Sequence, residues 1–365
     1  MSNTKKRWIL MNPGPVNVTE RVRKALAGPD ICHREKEFSE LMAGIRRKML
    51  KLFGISQTHT VALITGSGTA ALESMLCSFA EKGKRTLVLS NGVYGERMRK
   101  ILELHGTPAN ALTAAPGDFP SFSQIESFLK RDRSIDGIAL VHHETSTGML
   151  NPLTGIGEIA KKHGKTLLVD AISSLGAEPV DLKNIGLLAG SAGKCLHGYP
   201  GLSFVILSKE EAVKLRHKHP SSLYLDLYNT LTHEERDDTP FTPAVQLFYA
   251  FDAALDELAQ EGLSNRIRRY EERSRLLEEG FIQLGLRFLV PSERRSHVLT
   301  ALWLPQGLAY EKLHSELKKA GFVIYAGQSN FSGKIFRISN LGDMSDEDIR
   351  RFLKTLRSII RGGAR

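Results

Sequence analysis

Between residues 60 and 210 the chain alternates short, almost continuously apolar runs with stretches of helical character. The runs are Thr60 to Ile64, Thr86 to Leu89, Ile138 to Val141, Thr166 to Val169 and Ser203 to Leu207, and they are rich in β-branched residues. Uninterrupted apolar strands are those covered on both faces, and their alternation with helices predicts an α/β fold with a mostly parallel sheet between two helical layers. Ligands of such sheets sit beyond the carboxyl ends of the strands. Thr65-Gly66-Ser67-Gly68-Thr69, Ser90-Asn91-Gly92, His143-Glu144-Thr145 and Asp170 all fall at those ends, so one cleft is expected to collect them.

After Phe241-Thr242-Pro243 the pattern turns helical to around residue 284, with a break at Gly262-Leu263-Ser264 and Ser264 as the expected N-cap. The remainder predicts a strand (Val298 to Leu304), a helix (Tyr310 to Lys319), two strands (Phe322 to Tyr325 and Ile335 to Ser339) and a closing helix from Asp346. The expected division is therefore an N-terminal loop and large domain over 1–262, then a linking helix and small α+β domain over 263–365.

Composition changes this picture little. With 41% hydrophobic and 25% charged residues over 365 positions, the chain reads as a soluble globular protein. A net charge of +10 favours anionic partners. Yet the densest basic groups, Arg266-Ile267-Arg268-Arg269 and Lys214 to Lys218, lie in helical segments with acids nearby, as on a solvated face. No aromatic-studded basic run or zinc-finger spacing occurs, so no nucleic-acid partner is expected. Lys5-Lys6-Arg7 is followed by only Trp8 to Met11 before Asn12 and Pro13 interrupt. Neither a signal peptide nor a membrane span is expected there, and the expected location is cytoplasmic. Cys32, Cys77 and Cys195 are too few and too separated for a disulfide framework or a metal site.

The chemistry concentrates in two places. Leu167-Leu168-Val169-Asp170 ends a strand on an acid, and Ser191-Ala192-Gly193-Lys194 sets a lysine among small residues. That pair suits pyridoxal phosphate, because a Schiff-base lysine must be close and deprotonated while the ring nitrogen needs a carboxylate to stay protonated. Taken alone, Asp170 also reads as a helix cap and Lys194 as a surface lysine. The second place is Gly66-Ser67-Gly68-Thr69-Ala70-Ala71, a turn opening into a helix from Ala70 to Phe79, whose free N–H groups and positive dipole end suit a phosphate. The turn also fits the dinucleotide pattern, but the next strand ends on Ser90 and Asn91 where a ribose-binding acid is wanted. A P-loop is excluded because no Gly-Lys-Ser/Thr follows. Tyr94 and Arg337 have bland readings too, as a half-buried aromatic and an ion-pair partner.

Together, Asn12-Pro13-Gly14-Pro15, Gly66-Ser67-Gly68-Thr69, Glu144-Thr145-Ser146-Thr147-Gly148, Val169-Asp170 and Ser191-Ala192-Gly193-Lys194 resemble the class V aminotransferases of pyridoxal phosphate fold type I, over nearly the whole chain. Ser90-Asn91-Gly92-Val93-Tyr94-Gly95, Thr147-Gly148-Met149-Leu150-Asn151-Pro152, Ser222 to Tyr228 and Phe336-Arg337-Ile338-Ser339-Asn340-Leu341-Gly342 are most similar to the branch that transfers an amino group between 2-aminoethylphosphonate and pyruvate.

The resemblance implies a large domain on a seven-stranded, mostly parallel sheet, a small C-terminal domain, and a homodimer acting on a small amino donor and a 2-oxo acid. It implies that Lys194 holds pyridoxal phosphate and shuttles a proton, Asp170 pairs with the ring nitrogen and Tyr94 stacks on the ring. Ser67, Gly68 and Thr69 would bind the phosphate, joined by Thr242 from the neighbouring subunit. Thr145 and Thr147 would lie beside the ring, Arg337 would grip the substrate carboxylate or phosphonate, and the loop from Asn12 through Gly14 to Val16 would line the substrate entrance. Gly193 departs from the usual polar residue before the lysine, removing one contact to the cofactor. The alternative reading on the same machinery is an alanine or serine donor with glyoxylate as acceptor. Cysteine desulfurase chemistry is discounted because no cysteine follows Cys195. A regulator carrying a DNA-binding module is discounted because the first motif already begins at Asn12.

Overall fold

Every apolar run becomes a strand of one seven-stranded sheet in the computed structural model, which describes residues 7–107 and 109–362. Lys5 and Lys6 of the basic opening lie outside the described residues. In spatial order the strands are His59–Thr65, Leu202–Ser208, Leu187–Ser191, Thr166–Asp170, Ile135–Val141, Arg85–Ser90 and Ala109–Thr113. Leu202–Ser208 runs antiparallel to both its neighbours, and the pairings from Leu187–Ser191 onward are parallel. Two of these strands escape the hydrophobic pattern. Leu187–Ser191 ends on Ala189-Gly190-Ser191, and Ala109–Thr113 is a polar edge strand with no fully buried residue.

The near-continuous apolar runs have a direct cause. Val61 and Leu63 enter the core on one face, while Ala62 and Ile64 enter the core on the other. Side chains of a strand alternate sides, so a strand covered twice has no polar positions to spare. The first core packs the helices Lys36–Leu52 and Val245–Glu261 through Phe38, Met42, Phe248 and Phe251. The second packs Gly68–Phe79 and Val93–Leu104 through Leu72, Met75, Met98 and Leu102. No described helix is long and apolar enough to cross a membrane.

A third core belongs to the small sheet of Leu299–Trp303, Ile335–Ser339 and Tyr325–Ala326. The single strand expected over Phe322 to Tyr325 is two strands. Phe322–Val323 pairs in parallel with Ile9–Leu10, whereas Tyr325–Ala326 pairs with Ile335–Ser339. The N-terminal segment thus enters the third core, where Ile9 and Met11 join Leu277, Phe281, Phe322 and Phe352. Ser264 is not an N-cap: the linking helix Leu263–Gln283 starts one residue earlier, behind Gly262 at φ +85°. That conformation, which glycine adopts without steric cost, both ends Val245–Glu261 and opens the next helix.

Candidate active site

Beyond the carboxyl ends of the central strands lies a cleft of about 290 Å³ lined by Gly14, Ser67, Gly68, Thr69, Tyr94, Thr145, Asp170 and Lys194. Asp170 is the last residue of its strand and nearly buried, with one carboxylate oxygen accepting from the Ile172 N–H at 3.0 Å. Burial pushes its carboxyl up to about 6, with nearby Glu144 adding to the rise and the Ile172 N–H opposing it. Such a carboxyl gains most from a cationic partner. Lys194 stands in the turn after Leu187–Ser191, and its Nζ donates to the Pro13 carbonyl. Burial holds the amine below the ordinary lysine value, and Arg337 and Arg97 push the same way against Asp170 and Cys195. The direction favours the neutral, nucleophilic form.

The glycine-rich turn forms the other wall. The helix begins at Gly68, two residues before the expected Ala70, and Ser67 ahead of it makes no side-chain capping bond. A Cβ on Gly68 would stand 2.9 Å from the Ile172 side chain, so the absence of one lets the helix start close under the strand ends. An uncapped helix start flanked by two hydroxyls is a phosphate-binding geometry.

Glu144, fully buried, fixes the facing wall. It accepts from the backbone N–H of Tyr94 at 3.1 Å and of Gly95 at 3.3 Å, and from both the N–H and the hydroxyl of Ser146. A Cβ on Gly92 would press within 2.4 Å of the Glu144 carboxyl carbon, so glycine is what lets this contact form. The helix carrying Tyr94 is thereby pinned to the turn carrying Thr145.

Of two further lining residues, Arg97 was not foreseen and His143 was expected at a strand end without a role. The Arg97 guanidinium lies 4.6 Å from the centroid of the Tyr94 ring and donates to the Thr69 hydroxyl at 3.2 Å. Its three-residue spacing from Tyr94 on a helix is the signal that placed it there. His143 is buried with Nδ1 3.1 Å from the Ser173 carbonyl oxygen, and its Nε2 has no partner among the described residues. Its place in a strand-end motif was the only sign.

The remaining expected residues lie outside the cleft lining. Thr147 closes a turn, donating to the Glu144 carbonyl at 3.2 Å and accepting from the Met149 N–H at 3.4 Å. Asn12 is buried behind the loop and donates to the Pro15 carbonyl at 3.0 Å, shaping a loop whose Gly14 and Pro15 reach the cleft. A Cβ on Gly14 would collide with the Lys194 side chain. Thr242 is exposed and borders a separate depression with Thr65, Tyr224 and Phe241. Arg337 is buried on the middle strand of the small sheet and donates to the carbonyls of Ala326 and Thr145, each at 2.9 Å. It abuts the cleft through Thr145. Gly193 has a local explanation: a Cβ there would stand 2.6 Å from the Pro200 nitrogen and 2.8 Å from its Cα, so the backbone leaves no room for a side chain.

An uncapped helix start for a phosphate, a buried acid that gains from a protonated ring nitrogen, an aromatic wall and a poised lysine together fit pyridoxal phosphate.

The sequence profile of the aminotransferase class-V family matches residues 20–352. The 2-aminoethylphosphonate--pyruvate transaminase of Vibrio vulnificus (strain CMCP6) is 35% identical over 360 residues, spanning 96% of each chain. The protein of the same name from Salmonella typhimurium (strain LT2) is 35% identical over 363 residues, 97% of this chain and 98% of its own. Among solved structures, alanine--glyoxylate aminotransferase from Nostoc sp. superposes with a TM-score of 0.91 at 27% identity, covering 97% of this chain and 96% of that one. Matched over most of its length by the family profile and by relatives of this similarity, the chain belongs to the class V aminotransferases.

Proposed function

We propose that the protein is a pyridoxal phosphate-dependent transaminase that exchanges an amino group between 2-aminoethylphosphonate and pyruvate, reversibly giving phosphonoacetaldehyde and L-alanine. The observation that carries this reading is the convergence of Lys194, Asp170 and the Ser67–Thr69 turn in one cleft, with the buried cation Arg337 alongside. The names of the relatives at 35% identity support the choice of substrates.

The cofactor, when bound, supplies an electron sink for the carbon that loses its proton. Everything else falls to this chain. The Lys194 amine, whose Nζ now donates to the Pro13 carbonyl, would hold the cofactor and carry the proton at Nζ. The Asp170 carboxylate would hold a proton on the ring nitrogen, Tyr94 would pack on the ring, and Ser67, Gly68 and Thr69 would anchor the phosphate, all three groups lining one cleft. Arg337 receives the substrate's anionic end, since a guanidinium donates two parallel hydrogen bonds to a carboxylate or phosphonate. We further propose a cytoplasmic homodimer in which Thr242 reaches the partner's phosphate site. Its exposure away from its own cleft, beside the exposed apolar Leu223 and Tyr224, supports that arrangement.

The test is a half-reaction titration. Protein loaded with pyridoxal phosphate is mixed separately with 2-aminoethylphosphonate, L-alanine and L-serine, while the absorbance of the lysine-bound cofactor is followed. Conversion by both the aminophosphonate and alanine is expected. Conversion by alanine or serine alone would move the protein to the glyoxylate-type enzymes, and absence of the lysine-bound band would overturn the role of Lys194.

A further inference from the structure

A ping-pong transaminase that accepts both an aminophosphonate and a 2-oxo acid must seat two different anions at one receptor. Arg337 is a constrained receptor. Its Nε is committed to the Ala326 carbonyl and one Nη1 hydrogen to the Thr145 carbonyl, which fixes the guanidinium plane. Nη1 also donates to the side-chain oxygen of Gln328 at 3.3 Å, and among the described residues nothing is hydrogen-bonded to Nη2. The side left for a ligand is therefore the Nη1–Nη2 fork, and Gln328 partly covers it.

Gln328 differs from every other group on this arginine. It is exposed, whereas Arg337 is 1% exposed, and its contact is the longest of the three. Its backbone is held between the Gly327 N–H bonded to the Ile335 carbonyl at 3.0 Å and its own carbonyl accepting from Phe331 at 3.0 Å. The main chain is fixed while the side chain rests on one weak bond at the solvent boundary.

A carboxylate has two coplanar oxygens, and the fork satisfies both. A phosphonate has a third oxygen out of that plane, beyond the reach of a guanidinium whose orientation is set by two carbonyls. Building on the transaminase reading above, we propose that Gln328 is a specificity-determining residue: its amide oxygen occupies the Arg337 fork until an anion displaces it, and its amide N–H then donates to the third oxygen of a tetrahedral phosphonate.

The experiment compares holoenzyme of the parent chain, Gln328→Leu and Gln328→Glu in the half-reactions with 2-aminoethylphosphonate and with L-alanine, with cofactor absorbance reporting that the site is intact. Loss of one hydrogen bond to a charged group corresponds to about a tenfold effect. In Gln328→Leu, kcat/KM for the aminophosphonate should fall about tenfold, through KM, while that for alanine rises about twofold to threefold because the fork is uncovered. Gln328→Glu, which pairs with Arg337 and repels anions, should lower both, the phosphonate dianion more. Equal losses for the two donors in Gln328→Leu, or a ratio unchanged within about twofold, would overturn the role of Gln328 while leaving the transaminase reading intact. Alanine conversion by the parent chain without any aminophosphonate conversion would overturn the role of Gln328 together with the choice of 2-aminoethylphosphonate as substrate.

Discussion

On the proposed function, anions are recognised in two places built on opposite principles. At Ser67–Thr69 the donors are backbone N–H groups at a helix start on the large sheet, in a turn shaped by missing side chains. At Arg337 the donor is a full positive charge on the small sheet, buried and held in plane by two carbonyls. Hydrogen bonds to a phosphate are charge-assisted at either site, but the helix start adds only about 0.3–1 kcal/mol of dipole stabilisation to them, whereas Arg337 adds a full positive charge. The difference suits two kinds of guest. A cofactor fixed covalently, as proposed for Lys194, would need only shape and modest attraction for its phosphate, while substrates that arrive and leave would be caught by charge.

The sharpest break in that comparison comes from a residue that belongs to neither site. Asp170→Ala should reduce turnover by about two to four orders of magnitude while lowering cofactor retention far less, because it acts on the ring's protonation rather than its anchoring. Steady-state rates set beside cofactor-release rates check this. Next, Arg337→Lys replaces a planar fork by a point charge and should raise KM for pyruvate and for the aminophosphonate by at least about tenfold, with cofactor affinity retained. Gly68→Val should do the reverse. Its new side chain meets Ile172, and cofactor affinity should weaken by about tenfold with little change in either KM. If each variant disturbed both quantities alike, the two anion sites would not be separable.

The smallest expected effect concerns how the two parts are joined. Glu178, buried, accepts from the Ser296 hydroxyl at 2.9 Å, the His297 N–H at 2.6 Å and the His297 ring at 2.9 Å. The hydrogen bond to Glu178 holds His297 above its ordinary 6.5, and although burial opposes the charge on Glu178, His297 holds that carboxyl below its ordinary 4.5. The pair's contribution is thus complete between about pH 4.5 and 6.5. It is lost as pH rises through the raised histidine value and as pH falls through the lowered carboxyl value. Because the histidine side chain is 40% exposed, the solvent-screened contribution is below about 1 kcal/mol. The Tm difference between the parent chain and His297→Asn should be widest inside that window and narrow as pH rises through the raised histidine value.

What could be read in advance follows the same division. The doubly covered strands and the phosphate turn were legible because both are local: apolar runs such as Ile138 to Val141, and glycines ahead of a helix. Leu187–Ser191 was not, since its small residues carry no hydrophobic signature even though pairing on both sides makes it a central strand. The split of Phe322 to Tyr325 depends on Ile9–Leu10 arriving from the far end of the chain. Within the cleft, Asp170, Lys194 and Tyr94 were marked by strand ends and motif strings, whereas Arg97 enters it through the reach of a long side chain, as Gln328 reaches Arg337 from outside it. Thr147, expected beside the ring, has its hydroxyl engaged by the backbone of its own turn, because a threonine in a tight turn finds backbone partners first.

The pairing of Ile9–Leu10 with Phe322–Val323 also has a consequence for biosynthesis. The Pro13 carbonyl that receives Lys194 lies just past that strand, and the Met11 carbonyl is bonded to the Ser339 N–H at 2.8 Å. Translation delivers Ile9–Leu10 long before Phe322–Val323 and Ser339, the partners that seat the loop. The large sheet can assemble during synthesis, yet a nascent or truncated product that stops short of Phe322 would carry the reactive lysine without the loop that covers it.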